Sequence, residues 1–311
     1  GLGRGVPKTS LLPEDGVRQA LQALQRFRKL IDLMGITDVK VLATAAARDA
    51  KNGLDFLREA EAAIGTKVEL ISGQREAKLS AMGVLSGFDS ADGIVGDLGG
   101  GSLELIDIHG HKLGKGASVK LGGLALMDAS GGSLKKAAKL VEKDLKKLNL
   151  KGKNRTFYAV GGTWRSLARL HMRQVGYPLN VLHAYSITAR EAIDFCRMVQ
   201  RVEPETMQSI ETVSAARRPL LALGALVLEK VLMASGCARV VFSATGVREG
   251  LLYDALEPGE RRQDPLIAAA RDLNVLRSRS PRHGEDLALW TDALMHSTGM
   301  DEAPEDARLR R

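Results

Sequence analysis

The segment Asp92-Gly93-Ile94-Val95-Gly96-Asp97-Leu98, then Gly99-Gly100-Gly101-Ser102, then Leu103-Glu104-Leu105-Ile106-Asp107-Ile108 decides the fold. Two apolar runs flank three consecutive glycines. The pattern predicts a β-hairpin with strands over Gly93–Leu98 and Leu103–Ile108. No helix opens after the glycines and no Gly-Lys-Ser/Thr follows, which excludes a Walker loop. Glycines permit unusual dihedrals and close approach of a ligand to the backbone. Successive N–H groups in such a turn can form a nest for a phosphate. Asp97 at one strand end and Glu104 on the next strand can reach a cation held against that phosphate. A tight hairpin with glycines for steric reasons explains the same residues.

Outward from the hairpin, strands alternate with helices, which indicates an α/β fold. Towards the N-terminus, helical spacing predicts a helix over 11–33, then a strand over 39–43. Helices follow over 44–52 and 53–64, a strand over 68–71 and a helix over 76–85. Towards the C-terminus, Val119 to Leu121 is a candidate third strand. Ser133 to Leu148 reads as an amphipathic helix, its outer face carrying Lys135, Lys136, Lys139, Lys143, Lys146 and Lys147. That face is either solvated or a surface that guides polyanions. A strand over 157–160, helices ending at 172 and over 188–202 and 219–234, a strand over 239–243 and a helix over 248–256 complete the pattern. Residues 260–265 read as a linker. Helices over 266–276 and 284–295 follow, and the polar last ten residues are expected to fray.

Two further glycine turns end strands: Ala159-Val160-Gly161-Gly162-Thr163 and Thr245-Gly246-Val247-Arg248-Glu249-Gly250. In each, a helix follows at once, so N–H groups and the helix dipole point at the turn. Three such turns in one chain point to a phosphate-bearing ligand, with ordinary strand-to-helix connections as the alternative. Glu76 stands at a strand-to-helix junction, as a helix cap or as a general base that positions water. Arg48 stands at another, as a surface charge or as a clamp on a phosphoryl group.

At 311 residues the chain has room for about two domains of roughly 150 residues. With 44% hydrophobic and 26% charged residues it can bury real cores. Aromatics at 4% weaken any case for stacking on nucleic-acid bases, and no specific nucleic acid is expected. A net charge of +8 admits a polyanionic partner without choosing one. No apolar run approaches the length of about 18 residues that a membrane span needs. Cys196 and Cys237 lack metal-type spacing and read as buried thiols of a reducing cytoplasm. His109, His111, His171, His183, His283 and His296 are scattered, and no serine nucleophile elbow is present.

Taken together, Ala43-Thr44-Ala45-Ala46-Ala47-Arg48-Asp49-Ala50-Lys51-Asn52, Ile71-Ser72-Gly73-Gln74-Arg75-Glu76-Ala77, the Asp97–Glu104 segment and the two later glycine turns resemble the exopolyphosphatase / guanosine pentaphosphate phosphohydrolase (Ppx/GppA) family. Order and spacing match over about residues 1–255. The resemblance implies an α/β, actin-like fold of two ribonuclease-H-like domains: residues 1–75 rejoined by 247–258, and residues 76–246. Residues 259–311 would be a linker and the start of a helical domain. It implies Mg²⁺-dependent hydrolysis of terminal phosphate from inorganic polyphosphate, or from guanosine pentaphosphate, by a bacterial cytoplasmic enzyme, with a homodimer among the admissible assemblies. Glu76 matches the family's catalytic carboxylate and Arg48 its phosphate-contacting arginine. Gly99, Gly100, Gly101 and Ser102 match its phosphate loop, with Gly161, Gly162 and Thr163 as a further phosphate-binding turn. Asp97 and Glu104 match acidic residues tied to metal and water.

The chain departs from the family at two points. The opening Gly1-Leu2-Gly3-Arg4-Gly5 resembles the stretch after the family's first Asp-x-Gly-Ser-Asn-Ser hairpin, so the first domain is expected to lack its first strands. A truncated sequence, an inactive protein or a non-catalytic binder of polyphosphate or nucleotide would each follow from that. Arg75 stands where the family often has a second Glu before the catalytic one.

Overall fold

A computed structural model describes residues 2–203, 206, 213–299 and 302–310. The N-terminal part contains α1 (Val6–Thr9), α2 (Glu14–Leu33), β1 (Val41–Ala43), α3 (Ala45–Asp49), α4 (Gly53–Ile64) and β2 (Val68–Leu70). Next come α5 (Gly73–Leu85), β3 (Asp92–Leu98), β4 (Leu103–His109), β5 (Lys112–Leu113), β6 (Ala117–Val119), α6 (Gly123–Ser130) and α7 (Leu134–Leu145). The chain continues through β7 (Thr156–Val160), α8 (Gly162–Gln174), β8 (Tyr185–Thr188), α9 (Ala189–Gln200), α10 (Leu221–Ser235), β9 (Arg239–Phe242) and α11 (Val247–Asp254). The described C-terminal helices are α12 (Pro265–Arg277), α13 (Pro281–Ser297) and α14 (Pro304–Arg310).

β1 and β2 pair in parallel as a small sheet. The larger sheet has the order β5-β4-β3-β7-β9-β8, with β6 also pairing β4. β3 and β4 form the expected antiparallel hairpin, and β3, β7 and β9 run parallel. The parallel strands have a continuous apolar character because both faces of the sheet are covered. One face packs Phe157, Trp164, Leu167, Leu226 and Val240. The other packs Ala77, Ala81, Val84, Val95 and Ile106 under α5. Leu42 of the small sheet and Val247 and Leu251 of α11 pack against one cluster of Ile71, Leu79 and Met82, so α5 and α11 lie between the two sheets.

Helices α5 and α11 approach closely because both carry glycine at the contact. A Cβ on Gly250 would fall 1.8 Å from the Leu79 carbonyl oxygen, and one on Gly83 2.1 Å from that of Gly246. Arg75 bonds Asp254 across the same contact at 2.7 Å. The departure at Arg75 therefore serves to tie two helices together.

Several elements differ from expectation. α5 starts at Gly73 because Ser72 caps it, its Oγ accepting from the Arg75 N–H at 3.2 Å. α6 has no sequence signal, because its Gly122-Gly123 start reads as loop, yet it seats the triple-glycine turn. β8 is a strand of four residues, too short for a period-two signal to stand out. The C-terminal end is helical, not frayed, over Pro304–Arg310. Arg310 pairs there with Asp292 at 2.6 Å and Glu302 at 2.7 Å. Cys196 and Cys237 are free and buried, as expected. The lysines of α7 are exposed, while Ala137, Val141 and Leu145 at four-residue spacing are buried.

Candidate active site

Three carboxylates gather where the hairpin, α5 and β6 meet. The antiparallel register sets Asp97 directly opposite Glu104, so the two side chains share a face of the sheet. Like charges in that position repel unless something compensates them. Each has a hydroxyl partner. Ser80 Oγ donates to Asp97 Oδ2, and Ser118 Oγ donates to Glu104 Oε1 at 2.7 Å. Glu104 is 1% exposed, and its Oε2 is buried without a hydrogen-bond partner. Burial, reinforced by the nearby charge of Glu76, pushes the Glu104 carboxyl up to about 8. Burial also raises Asp97, against the hydrogen bond from Ser80 and the charge of Arg165.

Glu76 completes the group from the first turns of α5. Ser72 already caps this helix, so the Glu76 side chain is free for another role. It turns to Arg48, whose Nη1 donates to Glu76 Oε2 at 3.4 Å and to the Ile71 carbonyl at 2.8 Å. Burial raises the Glu76 carboxyl, the charge of Arg48 opposes that, and Asp97 adds to it. Arg48 reaches this point from the last turn of α3, its side chain only 25% exposed. Neither the capping role for Glu76 nor the surface-charge role for Arg48 is what the structure holds.

The glycine turns close the site. The Gly99 and Gly100 carbonyls accept from the N–H groups of Gly123, Leu124 and Ala125, which anchors the turn on the start of α6. A Cβ on Gly122 would fall 2.4 Å from the Gly101 carbonyl carbon, and one on Gly101 would fall 3.1 Å from Ala45 Cβ. The turn therefore lies against the helix that carries Arg48. Among the described residues, the N–H groups of Gly100, Gly101 and Ser102 donate to no backbone carbonyl. Gly161 has φ +109°, and a Cβ there would meet the Leu98 carbonyl at 2.5 Å and Asp97 Oδ1 at 3.2 Å. Gly162 and Thr163 follow as the first residues of α8. The structure thus brings together Arg48, Glu76, Asp97, Glu104, Gly99–Ser102 and the Gly161 turn. Gly246 lies further round, its N–H bonded to Glu249 Oε2 at 2.8 Å and its carbonyl against Gly83.

Ser80, Ser118, Arg165 and Arg217 join the surroundings of the site without a motif that marks them. Ser80 had a signal, since it stands four residues after Glu76 on the same helix face. Ser118 had none, because the pairing of β6 with β4 brings it in.

Among the described residues, no group of three His, Cys, Asp or Glu side chains is arranged to hold a metal ion unaided. The Asp97–Glu104 pair, with one orphaned oxygen, suits a hard cation that takes one or two carboxylates and fills its other positions with water and substrate phosphate. Chemically, the arrangement offers a base, a guanidinium, free N–H donors and a carboxylate pair around one point.

No described helix is long and apolar enough to cross a membrane. The model of the Ppx/GppA phosphatase family matches residues 1–258, and that of the C-terminal part of exopolyphosphatase matches residues 266–311. The chain is 28% identical over 288 residues to retrograde regulation protein 2 of Saccharomyces cerevisiae, covering 84% of this chain and 49% of the yeast protein. It is 25% identical over 250 residues to exopolyphosphatase 2 of Mycobacterium tuberculosis, covering 74% and 77%. The chain therefore spans about half the length of the yeast relative. A solved Aquifex aeolicus member of the Ppx/GppA family superposes with a TM-score of 0.68 at 26% identity, over 81% of this chain and 85% of that one. An exopolyphosphatase from Cytophaga hutchinsonii gives 0.71 at 20% identity, over 83% and 88%, a likeness of fold. The fold is the α/β, actin-like fold of these structures, with helices added at the C-terminal end. With a family model matched along the first 258 residues and the same fold in solved members, the chain belongs to the Ppx/GppA phosphatase family.

Proposed function

We propose that the chain hydrolyses the terminal phosphoanhydride bond of inorganic polyphosphate. The observation that carries this is the placement of Glu76, buried and 3.4 Å from Arg48, beside the Asp97–Glu104 pair and the triple-glycine turn. Glu76 accepts a proton from water as its oxygen forms a bond to the terminal phosphorus. The bond to the bridging oxygen breaks, and the shortened chain leaves with that oxygen. A carboxyl raised by burial is a stronger base than a free one, which suits this role near neutral pH. Arg48 and the N–H groups of Gly100 to Ser102 hold the equatorial oxygens, where charge is spread in the transition state.

Mg²⁺ belongs to this proposal. Asp97 and Glu104 would hold it together with substrate phosphate, and its chemistry there is charge neutralisation on phosphate oxygens. Ser80 and Ser118 orient these two carboxylates. The lobes expected over 1–75 with 247–258 and over 76–246 would face each other across the same groups.

The name of the mycobacterial relative supports the choice of polyphosphate. Guanosine pentaphosphate presents the same terminal bond. Phosphate release from both compounds with Mg²⁺, for the wild type and Glu76→Gln, tests the reading. Release from polyphosphate that disappears in the variant is the expected result. Equal release by the variant overturns the role of Glu76. Release from guanosine pentaphosphate alone overturns the choice of substrate.

A further inference from the structure

Helices α5 and α11 pack antiparallel, with one contact at each turn. Positions 75, 79 and 83 of α5 face 254, 250 and 246 of the α11 segment. At two of these contacts a glycine lies against a carbonyl, Gly250 on Leu79 and Gly83 on Gly246. Glycine contacts let two backbones approach closely, but they supply no side chain that opposes a tilt or a slide. The third contact does, with Arg75 bonded to Asp254 at 2.7 Å. Among the described residues it is the single side-chain ion pair between the two helices, and it stands at the end of α5 that carries Glu76.

Asp254 has a second partner. Its Oδ2 accepts from Arg75, and its Oδ1 faces Arg261 Nη1 at 3.7 Å. Arg261 belongs to a single 3₁₀ turn, Glu260–Arg262, that leads into α12. Tyr253 Oη donates to the Arg261 carbonyl, so main chain and side chain both seat this turn on the end of α11. Arg261 Nε is buried without a hydrogen-bond partner. That N–H costs free energy, which the charge of Asp254 must offset to keep the guanidinium in place. On the other side, Ser72 Oγ holds the Arg75 N–H at 3.2 Å while Asp254 holds its guanidinium. Arg75 is thus fixed at both ends, one rigid peptide bond before Glu76.

We propose that Arg75, Asp254 and Arg261 form a charged brace that positions Glu76 against Arg48 and makes that position depend on the seating of the segment before α12. The brace rests on the functional reading above, because that reading gives Glu76 its task. All three are positioning residues, acting through α5. A catalytic group misplaced by about 1 Å loses much of its rate. Substrate phosphates are held elsewhere, by Arg48 and the triple-glycine turn, so a loosened brace lowers kcat and leaves KM nearly unmoved.

The test uses the whole chain and two readouts: phosphate release from polyphosphate with Mg²⁺, and amide hydrogen exchange of a peptide covering residues 73–79. The variants are Arg75→Gln, Arg75→Lys, Asp254→Asn, Arg261→Gln and the pair Asp254→Asn with Arg261→Gln. Arg197→Gln, which breaks the 2.9 Å pair with Glu229 between α9 and α10, is the control for lost stability. Asp254→Asn and Arg261→Gln should each lower kcat by about tenfold with KM within about twofold of the wild type. In the same variants, exchange in the first turn of α5 should quicken by about tenfold. The paired variant should lose little more than Asp254→Asn alone, since both changes remove one interaction. Arg75→Lys keeps the charge and should recover part of what Arg75→Gln loses. The control should melt lower yet keep kcat and the exchange of α5 at wild-type values. Unchanged exchange in Asp254→Asn, unchanged kcat there while Glu76→Gln loses it, or an equal fall in the control overturns the brace. If the wild type releases no phosphate, the hydrolytic reading fails and exchange alone decides the brace: quickening in Arg261→Gln keeps it, and its absence removes it.

Discussion

Arg48 Nη1 bridges the Ile71 carbonyl at 2.8 Å and Glu76 Oε2 at 3.4 Å. One guanidinium thus joins the end of the second strand to the candidate base. Its position sets both the orientation of Glu76 and its proton affinity, since burial raises the carboxyl and the Arg48 charge pulls it back.

Replacing Glu76 by Gln should lower kcat for phosphate release by about 10²–10⁴-fold, the range that a general base supplies. Arg48→Gln should do something different. It removes the charge that holds the Glu76 carboxyl down, so the acidic limb of the kcat/KM profile should move to higher pH. Profiles of wild type and Arg48→Gln check this. An unmoved limb would separate the two residues.

Glu104 makes a prediction about stability. Its folded carboxyl is raised from 4.5 to about 8, so between those values the folded state binds more protons than the unfolded state. Stability from this group is therefore full below about 4.5 and falls as pH rises through 8. The shift corresponds to on the order of 5 kcal/mol. Glu104→Gln should melt higher than the wild type at pH 8–9 without metal, and at a similar temperature near pH 5. Thermal melts across that range test it. Added Mg²⁺ should narrow the gap at high pH by favouring the ionised wild-type carboxylate, and its binding should release a proton near neutral pH.

Ser80 donates to Asp97, and this bond favours the ionised carboxylate. Ser80→Ala should raise the Asp97 carboxyl further and weaken Mg²⁺ binding by about tenfold, the worth of one hydrogen bond to a charged group. Titration calorimetry with Mg²⁺ at fixed pH reads the change. Ser80→Thr restores the hydroxyl and should recover part of it.

Gly250 lies where a Cβ would come within 1.8 Å of the Leu79 carbonyl. Gly250→Ala must push α11 from α5 and should cost about 1–3 kcal/mol, as overpacking does. Urea denaturation measures the loss. Because α5 carries Glu76, phosphate release should fall as well, and Gly259→Ala, which meets nothing within 4 Å, is the control.

Much of the site was legible in local pattern. Asp97 and Glu104 are tied by a hairpin, and alternation across its turn puts them on one face whatever else the chain does. Arg48 and Glu76 were visible as charged residues at the ends of short strands, but their residue types fitted capping or solvent just as well. Ser72 decided for Glu76 by taking the cap. Arg165 and Arg217 carry no local mark, because 52 positions of sequence separate them and only the packing of Gly162 under Arg217 brings the second to the helix that carries the first.

Local pattern specifies the hairpin, the helices of clear period and the pairing of two carboxylates, because these depend on side-chain alternation within a few residues. Long-range packing alone makes Glu76 meet Arg48, brings Ser118 to Glu104 across β6 and lays the Gly161 turn against Asp97. Those contacts depend on how closely helices and strands approach. Approach is set by glycines whose missing side chains mean nothing until the opposing backbone is in place.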